Sequence, residues 1–282
     1  MTSESFSAYT FRKPIIFEGN FLSLNYCRIL HTSDIHLDDY LGGKGDESFA
    51  QRGLIDAVDK SIELNVDLFL LAGDLFDHNR VKDRCLEFAT EQLARVRCPV
   101  VMITGNHDCL AEYSIYHRYE PETAGDHIHF IRDPAGAVID FPELGIKVWG
   151  KGIVNHHPDN RPLERVPKKE SGAWFIGLAH GYYINRGADI YSSLITAEQI
   201  EASGLDYLAL GHVHVFSEMK HGDTLAAYPG SPNINQGTPE MTAAFVELLP
   251  REGVKVTRIE LASQGQLASR KLKEPAMPSF LG

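Results

Sequence analysis

The chain has few cysteines, no long apolar run and no excess of positive charge, and each shortage removes a class of protein. Cys27, Cys85, Cys98 and Cys109 are the only cysteines, and no two form a C-x-x-C pair. Neither a thiolate zinc site nor a disulfide framework is therefore expected, and the four are read as reduced and mostly buried. No stretch of about 18 apolar residues occurs, so no membrane-spanning helix is expected. Met1–Thr10 is rich in Ser and Thr and lacks the apolar stretch of a secretory leader, which makes a cytoplasmic enzyme the default expectation. Acidic residues number 38 against 27 basic, for a net charge of −11. The overall basic footprint of a nucleic-acid binder is missing, although a local patch is compatible with the total, because carboxylates gathered round metal ions inflate it.

What is present is apolar strand followed by acid. At 43% hydrophobic over 282 residues, the chain can bury one large α/β core. Val66-Asp-Leu-Phe-Leu-Leu-Ala72 reads as a strand buried on both faces; Gly73 ends it, Asp74 follows at once and Asp77 comes three residues later. Acids at the end of a buried strand are costly unless positive charge waits there, and a pair of metal ions is the usual answer.

The same pattern recurs along the chain. Cys27–Leu30 leads into Asp34 and His36, a helix over 47–64 puts Ile55, Val58 and Ile62 on one face, and a second over 81–96 buries Leu86, Ala89, Leu93 and Val96. Pro99–Thr104 runs into Gly105-Asn106-His107-Asp108. This order of strand, site, helix predicts parallel strands whose carboxyl ends share one rim. Short strands are expected over 127–131, 137–141 and 146–149, then a polar loop over 155–171. Ala173–Ala179 ends at His180, a helix over 196–202 follows, and Tyr207–Leu210 ends at Gly211-His212-Val-His214. The remainder reads as a β-meander of Thr224–Tyr228, Met241–Leu249 and Val254–Leu261. Residues 1–26 read as an extension with an edge hairpin over 14–24, Gly42–Gly45 as a flexible loop, 27–261 as the domain and 262–282 as a tail.

Five apolar strands thus end in metal-ligand residue types: Asp34 and His36, Asp74, Asn106, His180, then His212 and His214. Alternation along an extended chain would put Asp34 and His36 on one face, and likewise His212 and His214. A mixed oxygen and imidazole set suits manganese, iron or zinc, and seven side chains exceed one ion's needs, so two ions sharing a carboxylate are expected.

Asp34-x-His36, Gly73-Asp74-x-x-Asp77, Gly105-Asn106-His107-Asp108, His180 and Gly211-His212-x-His214 resemble the five signatures of the calcineurin-like metallophosphoesterases, in the same order. The resemblance implies a four-layer α/β/β/α sandwich. It further implies one ion on Asp34, His36 and His214, another on Asn106, His180 and His212, and Asp74 between them. Two cations would lower the pKa of a bridging water and supply hydroxide at neutral pH. His107 is then the group that assists the leaving oxygen, and Asp77 the acceptor that fixes its ring. His31-Thr-Ser-Asp34-Ile-His36, Ala209-Leu-Gly-His-Val-His214 and Tyr228-Pro-Gly-Ser231 look most like the SbcD-type DNA-repair exonucleases. That likeness implies manganese-dependent cleavage of DNA and an SbcC-type coiled-coil ATPase partner; a homodimer is also left open.

Tyr182, Tyr183 and Arg186 follow His180 closely and, with Tyr228 and Ser231, are the candidate substrate contacts. Tyr113, Tyr116 and Tyr119 could stack bases but fit packing better. Arg161, Arg165, Lys168 and Lys169 fit a solvated loop better than a phosphate track. The function expected is a phosphodiesterase or nuclease. The alternatives are a small-molecule phosphomonoesterase or cyclic-nucleotide phosphodiesterase and, from another class, a non-catalytic scaffold.

Overall fold

A computed structural model describes residues 24–39, 48–155, 157–184, 191–234 and 240–261. Most of the expected edge hairpin, the Gly42–Gly45 loop, Arg186 and the tail beyond 261 lie outside the described residues.

In chain order the elements are β1 (Cys27–Thr32), α1 (Phe49–Glu63), β2 (Leu68–Ala72), α2 (Asp83–Leu93), β3 (Val100–Ile103), β4 (Ile128–Phe130), β5 (Ala137–Phe141), β6 (Ile146–Lys151) and β7 (Trp174–His180). Then come β8 (Tyr182–Ile184), β9 (Leu194–Thr196), α3 (Ala197–Ser203), β10 (Tyr207–Gly211), β11 (Ser217–His221), β12 (Thr224–Tyr228), β13 (Thr242–Leu249) and β14 (Gly253–Glu260). Two six-stranded sheets form, one in the order β14-β13-β1-β2-β3-β4 and the other β11-β12-β10-β7-β6-β5.

Side-chain alternation explains the layers. Leu68 and Leu70 face the second sheet with Ile29, Val101, Ile176 and Leu178. Phe69 and Leu71 face the other way, against Leu54 and Val58 of α1 and Ala89 and Leu93 of α2. Burial on both faces is why β2 reads as an unbroken apolar run; each such Leu is worth roughly 1.5–3 kcal/mol. A third cluster, of Phe175, Leu208 and Leu210 with Ile200 and Leu205, packs α3 on the outer face of the second sheet. This is the α/β/β/α order, with α3 as the thin fourth layer.

Local chemistry sets the helix ends. Ser48 and Gln51 exchange side-chain bonds with each other's backbone N–H, a reciprocal cap that starts α1 later than the apolar pattern alone suggests. Leu54, Ala57 and Val58 form the buried face, while Ile55 and Ile62 sit on its half-buried flanks. Thr196 and Gln199 cap α3 in the same way. Lys82 is extended, so α2 begins at Asp83, and Val96 is buried although it lies past the helix end.

The expected C-terminal meander does not form. Strand β12 pairs parallel with β10 and antiparallel with β11 in the second sheet, whereas β13 crosses to the first sheet and lies antiparallel to β1. Only β13 and β14 make the expected hairpin, turned where Gly253 adopts φ +90°. Strand β11, Ser-Glu-Met-Lys-His, alternates half-buried with exposed residues and has too little apolar content to have been read as a strand.

All neighbouring pairs among β1, β2, β3 and β4 are parallel, as are those joining β6, β7, β10 and β12. The carboxyl ends of β2 and β7 meet, since the His180 ring bonds the carbonyl of Ala72. Both sheets therefore deliver their carboxyl ends to one rim.

Candidate metal centre

Strand β1 stops at Thr32, and the next residues bend sharply. Asp34 and His36 have φ of 57° and 53°, so they are not extended and simple alternation is not what brings them together. The loop instead continues alongside the end of β2: Asp34 N–H donates to Gly73 C=O, His36 N–H to Asp74 C=O and Leu37 N–H to Leu75 C=O. Asp74 and His212 also have positive φ, at 53° and 103°. Left-handed backbone at non-glycine residues carries strain and clusters at functional sites. Gly105 is required here, because a Cβ at that position would strike the Asp74 carboxylate.

These bends aim seven side chains at one place. His36 Nε2 lies 3.8 Å from Asp74 Oδ2 and 3.9 Å from Asp34 Oδ1. His214 Nε2 lies 3.5 Å from Asp34 Oδ1 and 3.4 Å from His36 Nε2. On the other side of Asp74, His180 Nε2 is 3.4 Å from its Oδ2 and 3.0 Å from Asn106 Oδ1. His212 Nδ1 is 2.8 Å from the same Asn106 oxygen.

The donors fit a pair of cations. His180 Nδ1–H donates to Ala72 C=O at 2.8 Å, so in the neutral ring Nε2 presents a lone pair to the Asn106 oxygen, which is also an acceptor. Two acceptors so close need positive charge between them. Asp34 and Asp74 are both buried, which demands the same. Burial pushes both carboxyls up, yet the surrounding histidines outweigh it and hold them below the ordinary range. Burial likewise pulls His180 down, but the Asp74 carboxylate overrides it and lifts His180 to about 9. The carboxylates recruit a proton, and divalent ions would answer the same demand.

His107 sits at the open side. Its Nδ1 donates to the backbone carbonyl of Asp77 at 2.7 Å, with the Asp77 carboxylate at 3.5 Å, so the main chain rather than the expected carboxylate is the closer partner. The Asp77 carboxylate is nearer His36 Nδ1, at 3.2 Å. Hydrogen bonding to Asp77 raises His107 to about 9, and the His107 and His36 rings close to its carboxylate hold Asp77 low.

The candidate substrate contacts divide. Tyr182 stands at the rim, its ring edge-on to His212 at 6.2 Å. Tyr183 turns away and stacks on His221. Tyr228 is buried, its hydroxyl donating to Gly181 C=O and accepting from Tyr183 N–H. Ser231 is also buried and donates to Asp34 C=O at 2.7 Å, while Asn233 Nδ2 donates to Ile35 C=O at 3.1 Å. The Tyr-Pro-Gly-Ser turn thus braces the Asp34 loop, with the hydroxyls of Tyr228 and Ser231 both engaged by main-chain groups. Lys169 pairs with Asp206, and Tyr116 and Tyr119 are buried.

The supporting roles of two residues escaped the sequence reading. Asp108 is fully buried and accepts from the N–H groups of Leu75, Phe76 and Gly105 and from Tyr116 O–H at 2.9 Å, tying the Asp74 and Asn106 loops together. Burial, then repulsion from Asp74, lifts its carboxyl to about 6. Ser192, between β8 and β9, meets His212 Nε2 at 3.1 Å. An acid beside Gly-Asn-His was visible as a motif letter, but nothing in the pattern around Ser192 marks it.

Residues 27–216 match the calcineurin-like phosphoesterases. The chain belongs to that family. This phosphoesterase is 27% identical over 221 residues to the metallophosphoesterase YhaO of Bacillus subtilis, a match covering 72% of the chain and 52% of the relative. It is 27% identical over 223 residues to the DNA double-strand break repair protein Mre11 of Archaeoglobus fulgidus, covering 72% and 49%. A component of the SbcCD nuclease of Bacillus subtilis is 26% identical over 285 residues, covering 86% of the chain and 72% of the relative. The phosphoesterase therefore spans about half the length of the first two. A crystal structure from Thermus thermophilus shares the fold, with a TM-score of 0.55 at 13% identity, covering 84% of this chain and all of that one. Among the described residues no helix is long and apolar enough to cross a membrane.

Proposed function

We propose that this phosphoesterase is a two-metal phosphodiesterase acting on nucleic acid or nucleotides, with an SbcD-type nuclease as the finer form of that reading. The observation that carries it is the meeting of six side chains from four strand ends around the Asp74 carboxylate at the end of a fifth. Asp34, His36 and His214 would hold one ion, Asn106, His180 and His212 the other, and Asp74 both. Manganese suits this donor set, with iron or zinc as alternatives; bound there, the ions supply Lewis acidity and a water of lowered pKa.

The chain's own residues do the rest. The Asp34 carboxylate is held by His212 N–H and that of Asp74 by His107 N–H, so neither swings as charge develops on the substrate. His107 Nδ1 is committed to Asp77, which turns Nε2 toward the open side. There it donates to the departing oxygen. Asp77 steadies the rings of both His36 and His107. Tyr182 lines the approach to His212 and offers a flat face to a base or sugar. Similarity to Mre11 and to the SbcCD component supports a nucleic-acid substrate and, with it, an SbcC-type ATPase partner; a homodimer belongs to the same reading.

The test is to strip the protein of metal, add manganese, and compare a chromogenic phosphodiester, the matching monoester, and single- and double-stranded DNA. Diester hydrolysis faster than monoester hydrolysis, with degradation of DNA, is expected. Diester cleavage with intact DNA would defeat the nuclease assignment, and faster monoester cleavage would favour a small-molecule phosphatase.

A further inference from the structure

His180 and His212 approach the Asn106 oxygen from two sides with opposite ring nitrogens. His180 presents Nε2 and has its Nδ1 held by the Ala72 carbonyl. His212 presents Nδ1, and its Nε2 points away from the cluster to the Ser192 hydroxyl at 3.1 Å. A ligating imidazole is oriented by what accepts its other N–H, and losing such a partner weakens the hold on the ring's angle and tautomer.

Ser192 is built for such a task. It lies outside the five ligand-bearing segments and is only 3% exposed. Its neighbour Ser193 is equally buried; the Ser193 carbonyl accepts from Tyr182 N–H at 2.8 Å and its hydroxyl from Asn160 Nδ2 at 2.9 Å. The Ser192 hydroxyl is thus presented from a fixed frame. The backbone of His212 has little freedom to compensate, since its φ is 103° and its N–H is committed to the Asp34 carboxylate.

We infer that Ser192 is a positioning residue for His212: its hydroxyl accepts from Nε2–H, turns the Nδ1 lone pair inward, and so sets the affinity of the ion shared by Asp74, Asn106, His180 and His212. This rests on the two-ion reading above. Ser192, placed just before β9 and itself no ligand, then tunes one ion and not the other.

The test is calorimetric titration of the metal-stripped full chain with manganese, in wild type, Ser192→Ala and Ser192→Thr. Wild type should bind two ions. Ser192→Ala should keep one at wild-type affinity and bind the other about 10–100-fold more weakly. Ser192→Thr, which retains a hydroxyl, should recover most of that loss. In an Asn106→Ala background, where the same ion has already lost a ligand, Ser192→Ala should leave the remaining ion unchanged. Melting temperatures of the metal-stripped proteins serve as the control for folding. Two ions bound as in wild type by Ser192→Ala would overturn the role of Ser192 alone. Equal weakening of both ions with a lowered melting temperature would make the residue merely structural. Fewer than two ions in wild type would overturn the two-ion reading and the Ser192 role with it.

Discussion

The floor and the rim of the centre are built differently. On the floor, Asp34, Asp74 and His180 are all but inaccessible, and each is fixed by main-chain groups: His212 N–H, His107 N–H and Ala72 C=O. At the rim, the side chains of His107 and Asp77 are 41% and 36% exposed, and Tyr182 reaches solvent next to His212. A buried charge held by backbone keeps its geometry whatever enters; an exposed ring on one hydrogen bond can adjust to a substrate. On the proposed two-metal reading, the difference assigns cation binding to the floor residues and the fate of the substrate to the rim residues.

Removing a floor carboxylate should produce the largest effect. Asp74→Asn is expected to lower diester turnover by more than about 10⁴-fold, or ~5.5 kcal/mol of transition-state stabilisation, and to bring the manganese stoichiometry below two. Retention of both ions at full rate would erase the distinction. A rim substitution should separate binding from turnover: His107→Ala is expected to keep both ions and lose about 10²–10⁴-fold on poor leaving groups, with a smaller loss on activated esters. An equal loss on both ester types would remove it from leaving-group assistance.

Beneath the floor, His31 gives a signature in acid. It is fully buried against the Tyr207 hydroxyl, and burial depresses it to about 3. The folded state refuses a proton that the unfolded chain takes up near its usual value of about 6.5, so this contribution is complete above that value. It is lost as pH falls toward about 3, at up to ~1.4 kcal/mol per unit. Urea midpoints at pH 7 and pH 4.5 should therefore differ less in His31→Gln than in wild type. The smallest change is expected for Tyr116→Phe, which removes one bond to Asp108 and should cost ~1–2 kcal/mol in urea unfolding with the active rim intact.

Legibility followed the same division. The β2 run and the helices beside it were readable because a strand buried on both faces and an amphipathic helix leave periodic marks, and the letters at the strand ends marked the floor. The convergence of Asp34 and His36 had a cause that the letters do not carry, since left-handed backbone at a non-glycine residue is imposed by the pairing of that loop with residues 73–77. Strand β13 was visible as a strand but not as a neighbour of β1, because sheet membership depends on partners far off in the chain. Tyr228 and Ser231 were drawn toward the substrate by their nearness in sequence to His214, yet their hydroxyls serve backbone groups. Ser192 had no signal at all, because a lone serine looks the same in any loop.

The brace from Ser231 to the Asp34 carbonyl spans 197 positions, and Asn233 to Ile35 spans 198. During synthesis the first ligand loop therefore emerges long before the turn that secures it. A ribosome-bound intermediate ending before that turn would expose the β1 edge that β13 later covers and would lack the clamp on Asp34. Cation affinity in the nascent protein should thus switch on late, after the loop-closure entropy of that long span has been overcome.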